Sequence, residues 1–191
     1  PISLGDSHEG YRVVGTTHAF FEHYHFGRKR SLAFAEGGPF AETFDAVLGA
    51  EVASALGYTT GTNIILAHGL ASTSFTKHES KPFVVVGVLA PTGTPVDQTI
   101  HVHLDGIEAM HVGGARAPAS TFSTVDKNQV TGSTSESITA FMLGLNSKLT
   151  TFTVQRQINQ FKGEPLMAIL PGVALSELWQ MMSMFENVLR L

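Results

Sequence analysis

VLGAEVASALGYTTGTNIILAHG (Val47–Gly69) and KPFVVVGVLAPTGTPVDQTIHVHLDGI (Lys81–Ile107) decide how this chain is read. Ala46–Leu48 closes a buried strand, and Glu51–Leu56 is a short helix that Gly57 stops. Asn63–His68 alternates too little to be half exposed, so it reads as a buried strand. Phe83–Leu89 is rich in β-branched valine and lies between Pro82 and Pro91, which makes a strand. Pro91-Thr-Gly-Thr-Pro95 has turn chemistry, because proline fixes φ and glycine permits positive φ. Thr99–Leu104 is a further strand, and Asp105 starts a helical turn toward His111. Several strands follow one another too closely for crossover helices, which favours an α+β fold over a doubly wound sheet.

Outward from this stretch, Ile2–Gly5 reads as a clipped strand, Asp6–Gly10 as a polar turn and Tyr11–Val14 as a second strand. Thr16 or Thr17 is placed to cap a helix reaching about His25. Gly27 with Arg28, Lys29 and Arg30 forms a stop and a basic turn, and Phe34–Pro39 a loop. Ser72–Lys81 is a polar connection. Gly113–Ser137 is poor in apolar residues and rich in Gly, Ser and Thr, as in a long surface connection or lobe boundary. Ile138–Leu145 and Pro165–Leu170 are expected as strands, with a helix from Ser147 to about Phe161 between them. In the last segment, Val173–Leu191, Leu175, Leu178, Met182, Phe185 and Leu189 recur at helical spacing. That stripe is expected to bury against its own domain. Trp179, Met181, Met184 and Val188 widen the apolar side and are expected to be less covered.

Composition narrows the function. The chain has 191 residues, 43% hydrophobic and 15% charged, which suits a folded core rather than a disordered tail. A net charge of −4 without a basic stripe speaks against nucleic acid. With no cysteine, disulfides, thiolate-bound zinc and a thiol nucleophile are all excluded. No apolar run approaches the roughly 18 residues of a spanning helix. The start at Pro1 and the uncapped final helix lead us to expect excision from a longer protein.

Nine histidines are the one excess that bears on a site. His101 and His103 are two apart on a strand, so both imidazoles point to one face and are candidate metal ligands. His18, Glu22 and His25 fall at i, i+4 and i+7 of the helix expected there. Imidazole and carboxylate together are legitimate zinc ligands. Catalytic motifs are missing. His78-Glu79 is not followed by the second histidine of a zincin helix, and there is no Gly-x-Ser-x-Gly elbow. Gly5-Asp6-Ser7 lacks the distant Asp-x-x-His of the lipase-like hydrolases, and no phosphate loop exists.

Four blocks carry a family resemblance: Ser3–Thr16 (SLGDSHEGYRVVGT), Val47–Gly57 (VLGAEVASALG), Phe83–Ile107 and Pro165–Trp179 (PLMAILPGVALSELW). Together they resemble the extracytoplasmic (periplasmic core) domain of MacB/FtsX-like ABC transporter permeases, of the macrolide-exporter and lipoprotein-release type. The resemblance implies a domain between the first and second transmembrane helices, on the periplasmic side of a bacterial inner membrane. It implies a mixed two-lobed fold, with residues 1–44 plus 138–191 as a membrane-proximal lobe, 45–112 as an inserted lobe and 113–137 connecting them. The exporter members carry a larger domain. The implied function is non-catalytic: ATP binding on a separate ATPase subunit moves the membrane helices, and the C-terminal helix passes that motion outward. Implied partners are that ATPase, a second permease copy in a homodimer, and a periplasmic protein. No cofactor is implied beyond zinc, which this branch is suspected of handling. The alternative is a free-standing periplasmic zinc-binding or hydrolytic protein.

Overall fold

The computed structural model describes residues 1–68, 82–115 and 138–189. Pro1–Met142 forms one compact unit and Leu143–Leu191 another. The first is built from β1 (Ser3–His8), β2 (Tyr11–Thr16), α1 (Ala19–His23), β3 (His25–Phe26), β4 (Arg30–Ser31), β5 (Phe34–Gly37) and β6 (Asp45–Leu48). α2 (Ala50–Leu56), β7 (Asn63–Ile64), β8 (Ala67–His68), β9 (Phe83–Leu89), β10 (Thr99–His103) and α3 (Leu104–Ala115) follow. The main sheet runs β5-β9-β6-β10-β2-β1-β8, with β7 also paired to β9. It is mixed: β10–β2 and β6–β9 are parallel, and the other pairs antiparallel. The architecture is therefore mixed α and β, in keeping with α+β.

Alternation along the central strands divides the core between the two sheet faces. Ala46, Leu48, Ile100 and Val102 join Val13, Val52, Ile64, Phe83 and Val85 in one cluster, closed by Ile107 and Met110 of α3. Val47 and Leu89 face the other way, into a cluster with Phe21 of α1, Leu32, Phe40 and Val96. Burial on both faces explains why β6 and β9 read as nearly continuous apolar runs. Gly87 of β9 is required by contact: a Cβ there would sit 2.2 Å from the Gly38 carbonyl oxygen. Gly57 ends α2 in the left-handed conformation, at φ 68°, as its sequence position predicts.

Several expectations are corrected. Asp6–Gly10 is not a turn throughout, because β1 continues to His8 and only Glu9-Gly10 turns, both at positive φ. Asp6, Ser7 and His8 are buried there as ladder residues. Phe34–Gly37 is an edge strand held by β9, not a loop. Asn63–His68 is two short strands on different neighbours. Ile138–Leu145 contributes only the bridge Ile2–Ala140, and Pro165–Leu170 forms no strand, since neither has a ladder partner among the described residues.

The main sheet draws β1, β2 and β5 from residues 1–44 and β6 to β10 from residues 45–112, so the boundary expected at 44/45 runs through a single sheet. The 113–137 connection beyond Ala115 and the Ser72–Lys81 connection lie outside the described residues, as does the end of the last helix after Leu189.

The second unit contains a 3-10 turn at Lys148–Thr150, whose start is capped by Ser147 Oγ accepting from Leu149 N at 3.3 Å. It leads into α4 (Thr151–Asn159), and α5 (Pro171–Leu189) completes the unit. Asn159 Oδ1 accepts from Ala168 N at 2.7 Å, tying the end of α4 to the segment before α5. The expected burial of the α5 stripe does not occur. Leu175, Leu178, Met182 and Phe185 are all more than half exposed, as are Trp179, Met181 and Met184. No described residue of this unit is buried, so no core is present for the stripe to join.

Candidate functional site

β10 lies between β6 and β2, and it carries the two histidines that the sequence singles out. His101 is opposite Val47 on β6 and Val14 on β2, which puts it in the middle of the sheet. Its ring packs 4.9 Å from Phe20 and 5.9 Å from Phe21, which α1 lays over this face. At 1% exposure, its Nδ1 has no hydrogen-bond partner among the described residues. Burial pushes the imidazole pKa down to about 4, against a smaller opposing effect from the Val47 backbone. His101 is therefore a neutral ring near pH 7.

His103 lies on the same face, where β10 passes into α3, and meets the edge of Phe40 at 5.4 Å. Its Nδ1 accepts from Asp105 N at 3.3 Å and lies 3.6 Å from Asp105 Oδ2. The neutral ring then carries its proton on Nε2. Strand alternation thus places both histidines as the sequence implies, but each is lodged against aromatic rings. Among the described residues, no three His, Asp or Glu side chains form a group arranged to hold a metal.

The second histidine set changes membership. α1 ends at His23, so His25 falls on β3 and not on the helix face of His18. Glu22 instead has His18 Nε2 at 3.5 Å and His23 Nε2 at 4.0 Å, all three exposed. His25 Nδ1 bonds the His23 carbonyl at 2.7 Å.

Two polar arrangements escaped the sequence reading. His8 is 8% exposed, with Nδ1 donating to the Ile65 carbonyl at 2.7 Å and Nε2 3.2 Å from the Tyr58 hydroxyl. Both ring nitrogens are satisfied, so this histidine fastens β1 to the segment after α2. Asp97 organises the Pro91–Pro95 loop by accepting from Thr92 N, Thr92 Oγ1 and Gly93 N. Desolvation works to raise its pKa, and the hydrogen bonds from Thr92 and Gly93 outweigh it, so the net shift is downward. The turn chemistry of Pro91–Pro95 was the available signal for this loop. His8 and Tyr58 offered none, being fifty residues apart.

No protein-family model and no curated protein matches the chain. No helix among the described residues is long and apolar enough to cross a membrane.

Proposed function

We propose that this chain is a non-catalytic extracytoplasmic domain of an ABC transporter permease, coupling the motion of an ATPase-driven membrane region to substrate or partner handling outside the membrane. The observation that carries this reading is α5. It runs for 19 residues in the second unit and leaves Leu175, Leu178, Trp179, Met181, Met182, Met184 and Phe185 more than half exposed. Apolar side chains displayed along a whole helix belong with a missing partner. The resemblance of Pro165–Trp179 to the block leading into the permease membrane region supports the same assignment. A second permease copy and a periplasmic protein are the partners, with ATP hydrolysis on another subunit.

The test is the reading frame that encodes the chain, expressed with its genomic neighbours. The expected product is a membrane protein that co-purifies with an ATPase. Because the chain lacks cysteine, a single Met181→Cys label should then report a change when ATP is locked in place. A frame without membrane-spanning segments would overturn the proposal. Zinc uptake by such a free-standing protein, lost in His103→Ala, would favour the alternative of a periplasmic zinc-binding protein. What supports that alternative is the buried, neutral His101 with its unpartnered Nδ1, on the same face as His103. The two histidines would be its donors.

A further inference from the structure

The β3–β4 hairpin concentrates positive charge in a chain that is otherwise acidic. Its strands pair His25 with Ser31 and Phe26 with Arg30, leaving Gly27, Arg28 and Lys29 as the loop. Every residue from Gly27 to Ser31 is exposed. Between Glu22 and Glu36 the sequence has no acidic residue, and Arg12 is the only other Lys or Arg in residues 1–68. Among the described residues none of Arg28, Lys29 and Arg30 is ion-paired.

Two observations separate this tip from an ordinary solvated turn. The Arg30 guanidinium lies over the Phe26 ring, 4.6 Å from its centroid, and both Phe26 and Leu32 pack into the core cluster under α1. A stacked guanidinium keeps its N–H edge free for an anion while its position is fixed. Lys29 is also held at φ 58°, a left-handed conformation in which glycine or asparagine is the easier residue. A lysine kept there maintains the charge against the backbone preference, the sort of local strain found at functional positions.

We propose that the Gly27–Arg30 tip is a recognition element for phosphate-bearing anions. Arginine forks match phosphate oxygens in pairs, and a lysine adds a third positive charge beside them. The shared chemistry is the phosphate group, carried either by a soluble polyphosphate or by an anionic phospholipid surface. This inference does not depend on the transporter reading.

The whole chain is titrated with inorganic triphosphate and, separately, with phosphatidylcholine vesicles with and without phosphatidylglycerol. Any contribution of the exposed α5 side chains is present with both kinds of vesicle, so the difference between them isolates the charge effect. The double variant Arg28→Gln/Lys29→Asn retains the Arg30–Phe26 stack and tolerates the left-handed position. It should lose on the order of thirtyfold in anion binding. Lys162→Gln, in the other unit, should lose nothing. Added salt should weaken the wild-type interaction. Binding of triphosphate alone identifies a soluble ligand, and preference for phosphatidylglycerol alone identifies a membrane surface. The proposal fails if the wild type binds neither probe, or if the double variant binds as well. Retention of a poly-glutamate peptide without phosphate binding would also overturn it, assigning the tip to an acidic protein.

Discussion

His101 shows how one side chain fixes the behaviour of its surroundings. A ring at 1% exposure between Phe20 and Phe21 has no solvent to stabilise its protonated form. The native state therefore resists a proton that the unfolded chain accepts near the ordinary value of 6.5, while the folded value is about 4. Between those limits the unfolded state binds more protons, so stability rises with pH. The contribution is complete above about pH 6.5 and is lost as pH falls toward 4, a change of about 3 kcal/mol. Urea unfolding of the wild type should follow that slope. His101→Phe, which suits the aromatic surroundings, should flatten it and leave stability near pH 7 changed by less than about 1.5 kcal/mol. An undiminished slope in the variant would show that other groups govern the acid sensitivity. Asp97 contributes in the same direction at lower pH. Its folded pKa lies below the ordinary carboxylate value of 3.8, so its stabilising effect is present above that value and is lost as pH falls through the folded pKa.

At the scale of elements, close approach between strands is the controlling fact. β9 meets the end of β5 where Gly87 pairs with Gly37, and a methyl group placed at Gly87 would come within 2.2 Å of the following Gly38 carbonyl oxygen, a backbone atom that no rotamer change can move. Gly87→Ala should therefore cost about 2–3 kcal/mol of unfolding free energy through strain between β5 and β9. Gly144→Ala meets nothing within 4 Å and should stay within about 0.5 kcal/mol. Equal midpoints for the two variants would mean that the β5–β9 contact yields without cost. The same distinction explains what was legible in the sequence. Phe83–Leu89, the helix before Gly57 and the strand bearing His101 were readable because their burial and stop signals are local. The shared face of His101 and His103 followed from strand alternation alone. β5 and the end of β1 were not readable, since Phe34 and Ser7 owe their extended form to partners distant in sequence or across a turn. Ile138–Leu145 misled in the opposite direction: its composition suits a strand, but among the described residues only the Ile2–Ala140 bridge pairs with it and no ladder forms. Apolar content announces burial, and only pairing makes a sheet.

At the scale of the whole molecule, the two units differ in kind. Pro1–Met142 packs apolar side chains on both faces of its sheet, whereas the described residues of Leu143–Leu191 bury none. A helical unit in this state gains little from the hydrophobic effect on its own, so covering α5 is where its stabilisation must come from. Trp179 reports on that covering. It is the chain's single tryptophan and is 67% exposed on α5. In dilute solution its fluorescence should be red-shifted and open to acrylamide quenching. If the proposed transporter role holds, assembly with the membrane region should shift the emission to the blue and protect the ring, because the apolar arc of Leu178, Met182 and Phe185 would leave water together with it. Leu178→Ser should weaken that shift while leaving the unfolding of the sheet unit unaltered, since Leu178 is half exposed and contributes nothing to either core cluster. A tryptophan already blue-shifted and shielded in the isolated chain at high dilution would mean that α5 is covered from within. The coupling role proposed for the helix would then lose its physical basis.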